Sequence, residues 1–409
     1  MTKFLKITWR NVWRNWRRTV IALAAISLGL FFLVFMDGVM SGSRVAIYGN
    51  LIKVLGGNIQ VHAQGYGEKA GRSPLLPIPN PDQVLQAALA RPEVTGASSR
   101  IQTGGFATSR DASLPVAISG IEPEKEAPLS LIADHIIEGR YLTAEDQDAI
   151  LIGYTLAERL NIGLNDRISL VGRAPHEQMR TRTMTVVGIY RIGSPETEKR
   201  NVYMSLAEAQ SLYDLPGQVT EIVVALNSVG NEEPTVSALR SSLSGVEVDS
   251  WKDLNPALLN AYALGDKIMG IFGFIVLGIA GIGILNLMLM AVFERTREIG
   301  LLSAIGLKRR QILLLFLMEG TLIGVLGGVV GAVLGAVVVT IAGSIGFDLS
   351  MAAEASEMMG LLGTYLYPVL EAGPLVSRFI TVIFISALAS LYPAWQAANS
   401  QPAEALHYV

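Results

Sequence analysis

The sequence predicts an integral membrane protein: four transmembrane α-helices and one large α+β extracytoplasmic domain. Three observations predict it. Only 16% of the 409 residues are charged and 51% are apolar, against about 25% charged in soluble proteins; mean hydropathy is +0.42. Charge crowds the middle of the chain, while long uncharged runs lie toward its two ends, as expected of spans around a water-exposed insert. Lysine and arginine are sorted by segment, which fixes an orientation.

Segment 1–18 holds Lys3, Lys6, Arg10, Arg14, Arg17 and Arg18 and no acid. Leu5, Trp9, Val12 and Trp16 recur at helical spacing, so a basic amphipathic helix lies in the cytoplasmic interface. Segment 19–40 is the first span, uncharged from Thr19 to Met36. It exceeds the ~7–15 residues of a signal-peptide core, and no A-x-A site follows, so it reads as a retained anchor. The second span, 267–293, is uncharged from Ile268. The third, 311–342, carries one charge, Glu319, in a run long enough to tilt or project from a bilayer. The fourth is 375–396. Between spans two and three, 294–310 is rich in lysine and arginine, whereas loop 343–374 is acidic. Both termini, the tail 397–409 and the 294–310 connector are therefore cytoplasmic, and 41–266 lies outside.

The insert 41–266 reads as mixed α and β. Strands are expected at Asn58–Val61, Ile150–Ile152, Arg167–Val171, Thr183–Tyr190 and Glu221–Leu226. Helices are expected at Asp82–Leu89, with Asp82 as cap, at Tyr154–Leu160, and at Ser205–Tyr213 with a Ser205/Glu208 capping box. Four prolines in Pro74–Pro81 make an extended linker, and the polar stretch Arg173–Arg182 joins two strands. No internal repeat stands out.

Catalytic and cofactor signals are missing, so no catalytic residue and no metal ligand is assigned. His62, His135, His176 and His407 match no zinc spacing and read as surface or loop histidines. Glu122, Glu124 and Glu126 read as a solvated loop. There is no G-x-S-x-G elbow, no cysteine, and no Gly-Lys dipeptide, so a P-loop is impossible in this sequence. Net charge of −3 disfavours nucleic acid.

The connector is the most informative stretch. Its charges, Glu294, Arg295, Arg297, Glu298 and Lys308, alternate with a helical apolar set, Ile299, Leu302 and Ile305. Such a helix suits docking into a partner's groove or lying on lipid. In span three, Gly320, Gly324, Gly327, Gly328, Gly331 and Gly335 form overlapping GxxxG pairs for close helix packing, within the protomer or across a dimer. Glu319 reads as a structural carboxyl, protonated or bonded to a serine or backbone carbonyl, in preference to a proton-coupling group.

Glu294-Arg-Thr-Arg-Glu-Ile-Gly300, Ala304-Ile-Gly306, Phe316-Leu-Met-Glu-Gly320 and the ending Tyr392–Leu406 resemble FtsX-like permeases. Gly139–Leu142, Ile150–Gly153 and Ala157–Leu160 resemble a MacB-type periplasmic core domain. The resemblance implies a type VII ABC transporter permease of the bacterial inner membrane, close to lipoprotein-releasing permeases. It implies no cofactor on this chain, with ATP and Mg held by a dimer of ATPase subunits. It maps 294–310 onto a coupling helix, and implies porter-like segments at 41–120 and 219–250 around a sabre-like 121–218. It further implies a second permease protomer, identical or not, and mechanotransmission to the external domains. A periplasmic chaperone, adaptor or outer-membrane partner fits as well, and Arg173–Arg182 matches the hairpin that captures a chaperone. Lipophilic cargo such as lipoproteins, macrolide-type efflux, and regulation of a periplasmic enzyme all remain open.

The orientation is tested in a chain without native cysteine. Ser228→Cys should react with an impermeant thiol reagent in intact spheroplasts and Ser303→Cys should not. The reverse pattern overturns the orientation.

Overall fold

The computed structural model describes residues 2–67, 75–173, 178–349 and 365–399. Residues 68–74 with Pro74, 174–177 with His176, 350–364 of loop 343–374, and 400–409 with His407 lie outside the described residues. Along the chain, α1 (Thr2–Arg14) and α2 (Trp16–Leu55) precede β1 (Ile59–Ala63), α3 (Pro81–Leu89), β2 (Val94–Thr108), β3 (Ser113–Ile121) and α4 (Pro123–Glu126). There follow β4 (Ile136–Gly139), β5 (Ala149–Gly153), α5 (Tyr154–Leu160), β6 (Arg167–Arg173), β7 (Met179–Tyr190), α6 (Pro195–Arg200), β8 (Asn201–Ser205) and α7 (Leu206–Tyr213). The last elements are β9 (Glu221–Leu226), α8 (Glu233–Ser242), β10 (Val246–Ser250), α9 (Trp251–Leu254), α10 (Pro256–Glu294), α11 (Thr296–Ala304) and α12 (Arg309–Ile345). A short ribbon of β11 (Phe347–Asp348) and β12 (Tyr365–Leu366) precedes α13 (Ala372–Asn399). The chain divides into two compact units, Met1–Arg44 with Asn260–Phe347 and Leu366–Val409, and Val45–Leu259 with Asp348–Tyr365.

Among the described residues, four helices, α2, α10, α12 and α13, are long and apolar enough to cross a membrane. α2 has 40 residues and α10 has 39, roughly 60 Å each at ~1.5 Å per residue. A hydrocarbon core is ~30 Å thick, so each helix outruns the apolar layer.

The glycines of α12 divide into two stripes, both used inside this chain. A Cβ at Gly320 or Gly324 would collide with Ser390 or Ser386 of α13, and one at Gly328 would lie 2.9 Å from Phe379. The opposite stripe faces α2: a Cβ at Gly327 would lie 2.9 Å from Ile26, at Gly331 2.7 Å from the Ser27 carbonyl oxygen, and at Gly335 2.7 Å from Val34. The Ser27 hydroxyl donates to the Gly327 carbonyl at 3.0 Å. Small residues thus let one helix approach two neighbours. Arg378 of α13 donates to both Asp37 oxygens of α2 at 2.9 and 3.0 Å and to the Met269 carbonyl of α10 at 3.3 Å.

The other unit is a ten-stranded sheet. Its first part, in the order β10-β1-β9-β2, pairs antiparallel throughout and carries α3 and α8, a βαββαβ arrangement. The two βαβ halves form a structural repeat that the sequence does not display. The second part holds β3, β8, β5, β7, β4 and β6, with parallel β3/β8 and β5/β7 pairs. β2 belongs to both: residues 94–100 pair with β9 and 100–108 with β3.

At that crossing sits Arg100, buried with Glu126 and Glu221; its Nη1 donates to the Leu55 carbonyl, the last of α2, at 2.8 Å. Burial would raise the Glu221 carboxyl, but His62 and Arg100 hold it below the usual carboxylate range. Glu126 is therefore core, not a solvated loop. His62 is likewise no surface residue: it is 1% exposed, 3.4 Å from Glu221 and stacked on Tyr66. Both misreadings arise because partners distant in sequence supply the neutralising charge. Local differences have similar causes. Asn80, at φ 50°, precedes α3, and Pro81 opens it, so Asp82 is in the first turn and not the cap. Ser205 accepts the Glu208 N–H at 3.3 Å, but the Glu208 carboxylate turns to Arg182 at 2.6 Å and to the Asp148 N–H, leaving half of a capping box. Of the polar stretch Arg173–Arg182, Arg173 and Met179–Arg182 belong to the strand ladder between β6 and β7.

Gly331→Val should lower the melting temperature of the detergent-purified chain, because backbone cannot yield to the new side chain; overpacking commonly costs ~1–3 kcal/mol. Gly278→Val, where a Cβ meets nothing within 4 Å, should not. Equal melting temperatures for the two variants would count against the packing assigned to α12.

Candidate functional site

Charged chemistry in the helical unit gathers where α10, α11 and α12 meet α1. α10 is uncharged from Ile268 to Phe293, after which the sequence turns to Glu294-Arg-Thr-Arg-Glu298. Local hydrogen bonds then end the helix: the Arg295 N–H donates to the Val292 carbonyl at 3.2 Å and the Thr296 hydroxyl to the Phe293 carbonyl at 2.8 Å. Arg295 leaves helical geometry at φ −108°, ψ 15°, and α11 starts at the next residue. Gly306, at φ +101°, makes the return in a conformation that favours glycine. Gln311 Oε1 accepts the Lys308 N–H at 2.9 Å as α12 begins.

Arg295 turns inward and is 6% exposed. Its Nη1 donates to both carboxylate oxygens of Glu319, at 3.2 and 3.1 Å. Its Nε reaches Glu298 at 3.3 Å, and its guanidinium carbon lies 5.8 Å from the Phe316 ring centroid. Glu319, buried, thus pairs with the connector itself and not with a serine or a backbone carbonyl. A guanidinium keeps its charge wherever it is buried and can engage a carboxylate with several donors, which neither alternative offers.

Two further pairs bind the junction of α1 and α2 to the same stretch. Arg14 Nη1 donates to Glu298 at 2.7 Å. Arg18 pairs with Glu294, which also accepts from Asn15 Nδ2 at 3.1 Å. Asn15 itself is the break between the two helices, bridged by the Thr19 hydroxyl donating to the Val12 carbonyl at 2.7 Å. Both outer pairs are half-exposed, so each contributes about 0–1 kcal/mol. Burial would raise the Glu298 carboxyl, but hydrogen bonds from Arg14 and Arg295 bring it below its ordinary range. A cavity of about 20 Å³ lies among Asn11, Arg14, Asn15, Arg18, Arg295 and Glu319.

The connector residues expected to meet a partner separate into two groups. Glu294, Arg295 and Glu298 are engaged by the chain's own charges, and Ile299, 2% exposed, packs in the bundle core. Ile299, Leu302 and Ile305 were expected on one face; Leu302 is half-buried and Ile305 is 70% exposed. The face divides because α11 stops at Ala304 and Ile305 sits past its last full turn. Leu301, 56% exposed, is the outward residue that the apolar set Ile299, Leu302 and Ile305 leaves out; its signal is the i, i+4 spacing to Ile305. Arg297 and Lys308 are also on the surface. The amphipathic reading of 1–18 divides similarly: Thr8 and Val12 are buried, while Trp9, Trp13 and Trp16 are exposed. Among the described residues no group of three or more His, Asp or Glu is placed to hold a metal. The arrangement is a connector latched from behind by ion pairs, with apolar side chains at its outer end.

Comparison with known proteins gives two family matches: MacB-like periplasmic core domain over residues 19–242, and FtsX-like permease C-terminal over residues 270–402. The lipoprotein-releasing system transmembrane protein LolC of Xylella fastidiosa strain Temecula1 is 25% identical over 415 residues, 95% of this chain and 94% of that protein. The macrolide export ATP-binding/permease protein MacB of Bdellovibrio bacteriovorus is 26% identical over 421 residues, 96% of this chain and 59% of that protein. A crystal structure of the periplasmic region of MacB from Actinobacillus actinomycetemcomitans has a TM-score of 0.36 and 13% identity, covering 52% of this chain and 98% of that chain.

Removing one member of a buried ion pair typically costs ~3–5 kcal/mol, whereas replacing both with apolar residues is near neutral. Arg295→Met and Glu319→Met should therefore each lower the thermal stability of the purified chain sharply. The double variant should recover most of the loss. A double variant as unstable as the sum of the singles contradicts a mutual pair.

Proposed function

The chain belongs to the FtsX-like permeases that carry a MacB-like periplasmic core domain, and on that premise we propose that it is the membrane subunit of a type VII ABC transporter. ATP hydrolysis, with Mg, falls to separate ATPase subunits, in keeping with the missing Gly-Lys dipeptide. In this reading both termini and the 294–310 connector are cytoplasmic, in the bacterial inner membrane, and the sheet-bearing unit is periplasmic. The βαββαβ part is the porter-like portion, and the strands between β2 and β9 supply the sabre-like one. Two permease protomers assemble, and nucleotide-driven motion of the ATPases moves their periplasmic domains.

The observation that carries this reading is the division of the connector. Glu294, Arg295 and Glu298 are paired with Arg18, Glu319 and Arg14, which stiffens it, while Leu301 and Ile305 stand out in solvent. An element that receives force from a partner needs both a rigid back and an apolar front. The cargo we favour is lipophilic, with lipoproteins suggested by the likeness to LolC, and a periplasmic chaperone as acceptor. Efflux, toward which the likeness to MacB points, is the second reading.

Leu301→Asp and Ile305→Asp should weaken co-purification with the cognate ATPase by roughly thirtyfold, the size of a ~2 kcal/mol anchor loss. Neither should change the melting temperature of the permease alone, because both side chains are outside its core. Leu302→Asp, half-buried, should lower stability and association together. Wild-type ATPase stoichiometry in Leu301→Asp and Ile305→Asp, with normal release of a radiolabelled lipoprotein from spheroplasts, would sink the assignment.

A further inference from the structure

The outward side of α1 and the start of α2 is unaccounted for by the connector contacts. Trp9 and Trp13 meet edge to face, 6.1 Å between centroids, and Trp9, Trp13 and Trp16 are all exposed. Arg10 and Arg17 are exposed beside them, the Arg17 guanidinium lying 5.7 Å from the Trp16 ring centroid. No acidic residue occurs before Asp37. Exposed tryptophan beside unopposed arginine is the chemistry that binds an anionic lipid surface. The same segment holds Arg14 and Arg18, whose carboxylate partners, Glu298 and Glu294, are half-exposed. A headgroup phosphate can therefore reach these arginines without entering the core.

We propose that anionic phospholipid headgroups bind this surface and compete with Glu298 and Glu294 for Arg14 and Arg18, so that membrane charge sets how firmly the connector is held. The competition is balanced because the attraction of one arginine to an anionic leaflet is comparable to a half-exposed ion pair. Arg295–Glu319 is outside it, being buried. Lipid charge then loosens the outer latch and leaves the inner one, which frees α11 to pivot about Arg295 without unfolding the bundle. The functional consequence rests on the connector being the coupling element; the lipid competition itself does not.

The test reads the permease alone, so its failure leaves the ATPase assignment standing, and failure of that assignment leaves it unaffected. The full chain with Ser303→Cys is placed in nanodiscs of phosphatidylcholine alone or mixed with phosphatidylglycerol, and the rate of thiol labelling is followed. Labelling should be roughly fivefold faster in the anionic discs, the factor expected for one arginine exchanged onto lipid. Arg14→Gln/Arg18→Gln should label fast in both lipids, and Arg10→Gln/Arg17→Gln should reduce the lipid response without raising the rate in phosphatidylcholine. Inorganic phosphate added to the phosphatidylcholine discs should change nothing. Equal rates in the two lipids overturn the proposal. So does a lipid response that survives Arg14→Gln/Arg18→Gln, or an acceleration by free phosphate, which would make the competitor a soluble anion.

Discussion

A carboxylate placed among apolar helices must be neutralised, and the rest of the helical unit is arranged around that need. Glu319 sits ten residues into α12 and is buried. The connector supplies Arg295, and once its guanidinium is drawn in to 3.1 Å the position of the whole stretch is set. Glu298 is one helical turn on and falls within reach of both Arg295 and Arg14. Glu294, on the preceding residue, meets Arg18. Three charges of one short motif, Glu294, Arg295 and Glu298, are thus engaged in holding the motif in place, and the surface it offers outward combines Leu301 and Ile305 with Arg297 and Lys308.

That pair depends in turn on how closely the helices approach. Gly320 follows Glu319 directly, and its lack of a side chain brings Ser390 of α13 against α12. The Gly327, Gly331 and Gly335 stripe does the same for α2. With the backbones near contact, the polar atoms between them have no room for anything but each other, which is why Ser386 and Ser390 bond to carbonyls of their own helix one turn back, both at 2.7 Å. Close packing fixes the rotation of α12, and rotation decides that Glu319 faces the connector and not lipid. Dispersion contacts of the neighbouring helices' side chains against the flat glycine stripes of α12, small singly, supply the attraction in a medium where the hydrophobic effect between helices is lost.

The legibility of this protein follows the range of the interactions. Long apolar runs mark the four long helices because bilayer thickness sets a minimum length for such a run, and α5 and β9 match their expected bounds to the residue because alternation and helical spacing are local signals. The failures share a different origin. β2 reads Val-Thr-Gly-Ala-Ser-Ser-Arg-Ile-Gln-Thr-Gly-Gly-Phe-Ala-Thr, with no hydrophobic alternation, because it is shared between two sheet parts and covered on changing faces. Glu126 and His62 look like surface residues until Arg100 and Glu221 arrive from elsewhere in the chain. In the connector, charge content was legible but direction was not. The motif's composition is equally compatible with charges facing a partner, and only Glu319, 24 residues from Arg295 in sequence, turns them inward.

At each of two helix ends stands a buried arginine held by carboxylates. A helix leaves its last carbonyls without partners. At the end of α2 the Leu55 carbonyl receives Arg100, itself pinned by Glu126 and Glu221 where β2 passes between the two parts of the sheet. At the end of α10, Arg295 is pinned by Glu319. Each arginine is buried and held by carboxylates from other elements, so neither helix end can shift without breaking a charge pair in a poorly solvated site. Loss of such a pair costs far more than bending a surface loop. Local fraying at either helix end is therefore disfavoured. For a chain proposed to transmit motion and not to catalyse, that stiffness is the property that matters, and it resides in two arginines that lie away from any surface a partner could touch.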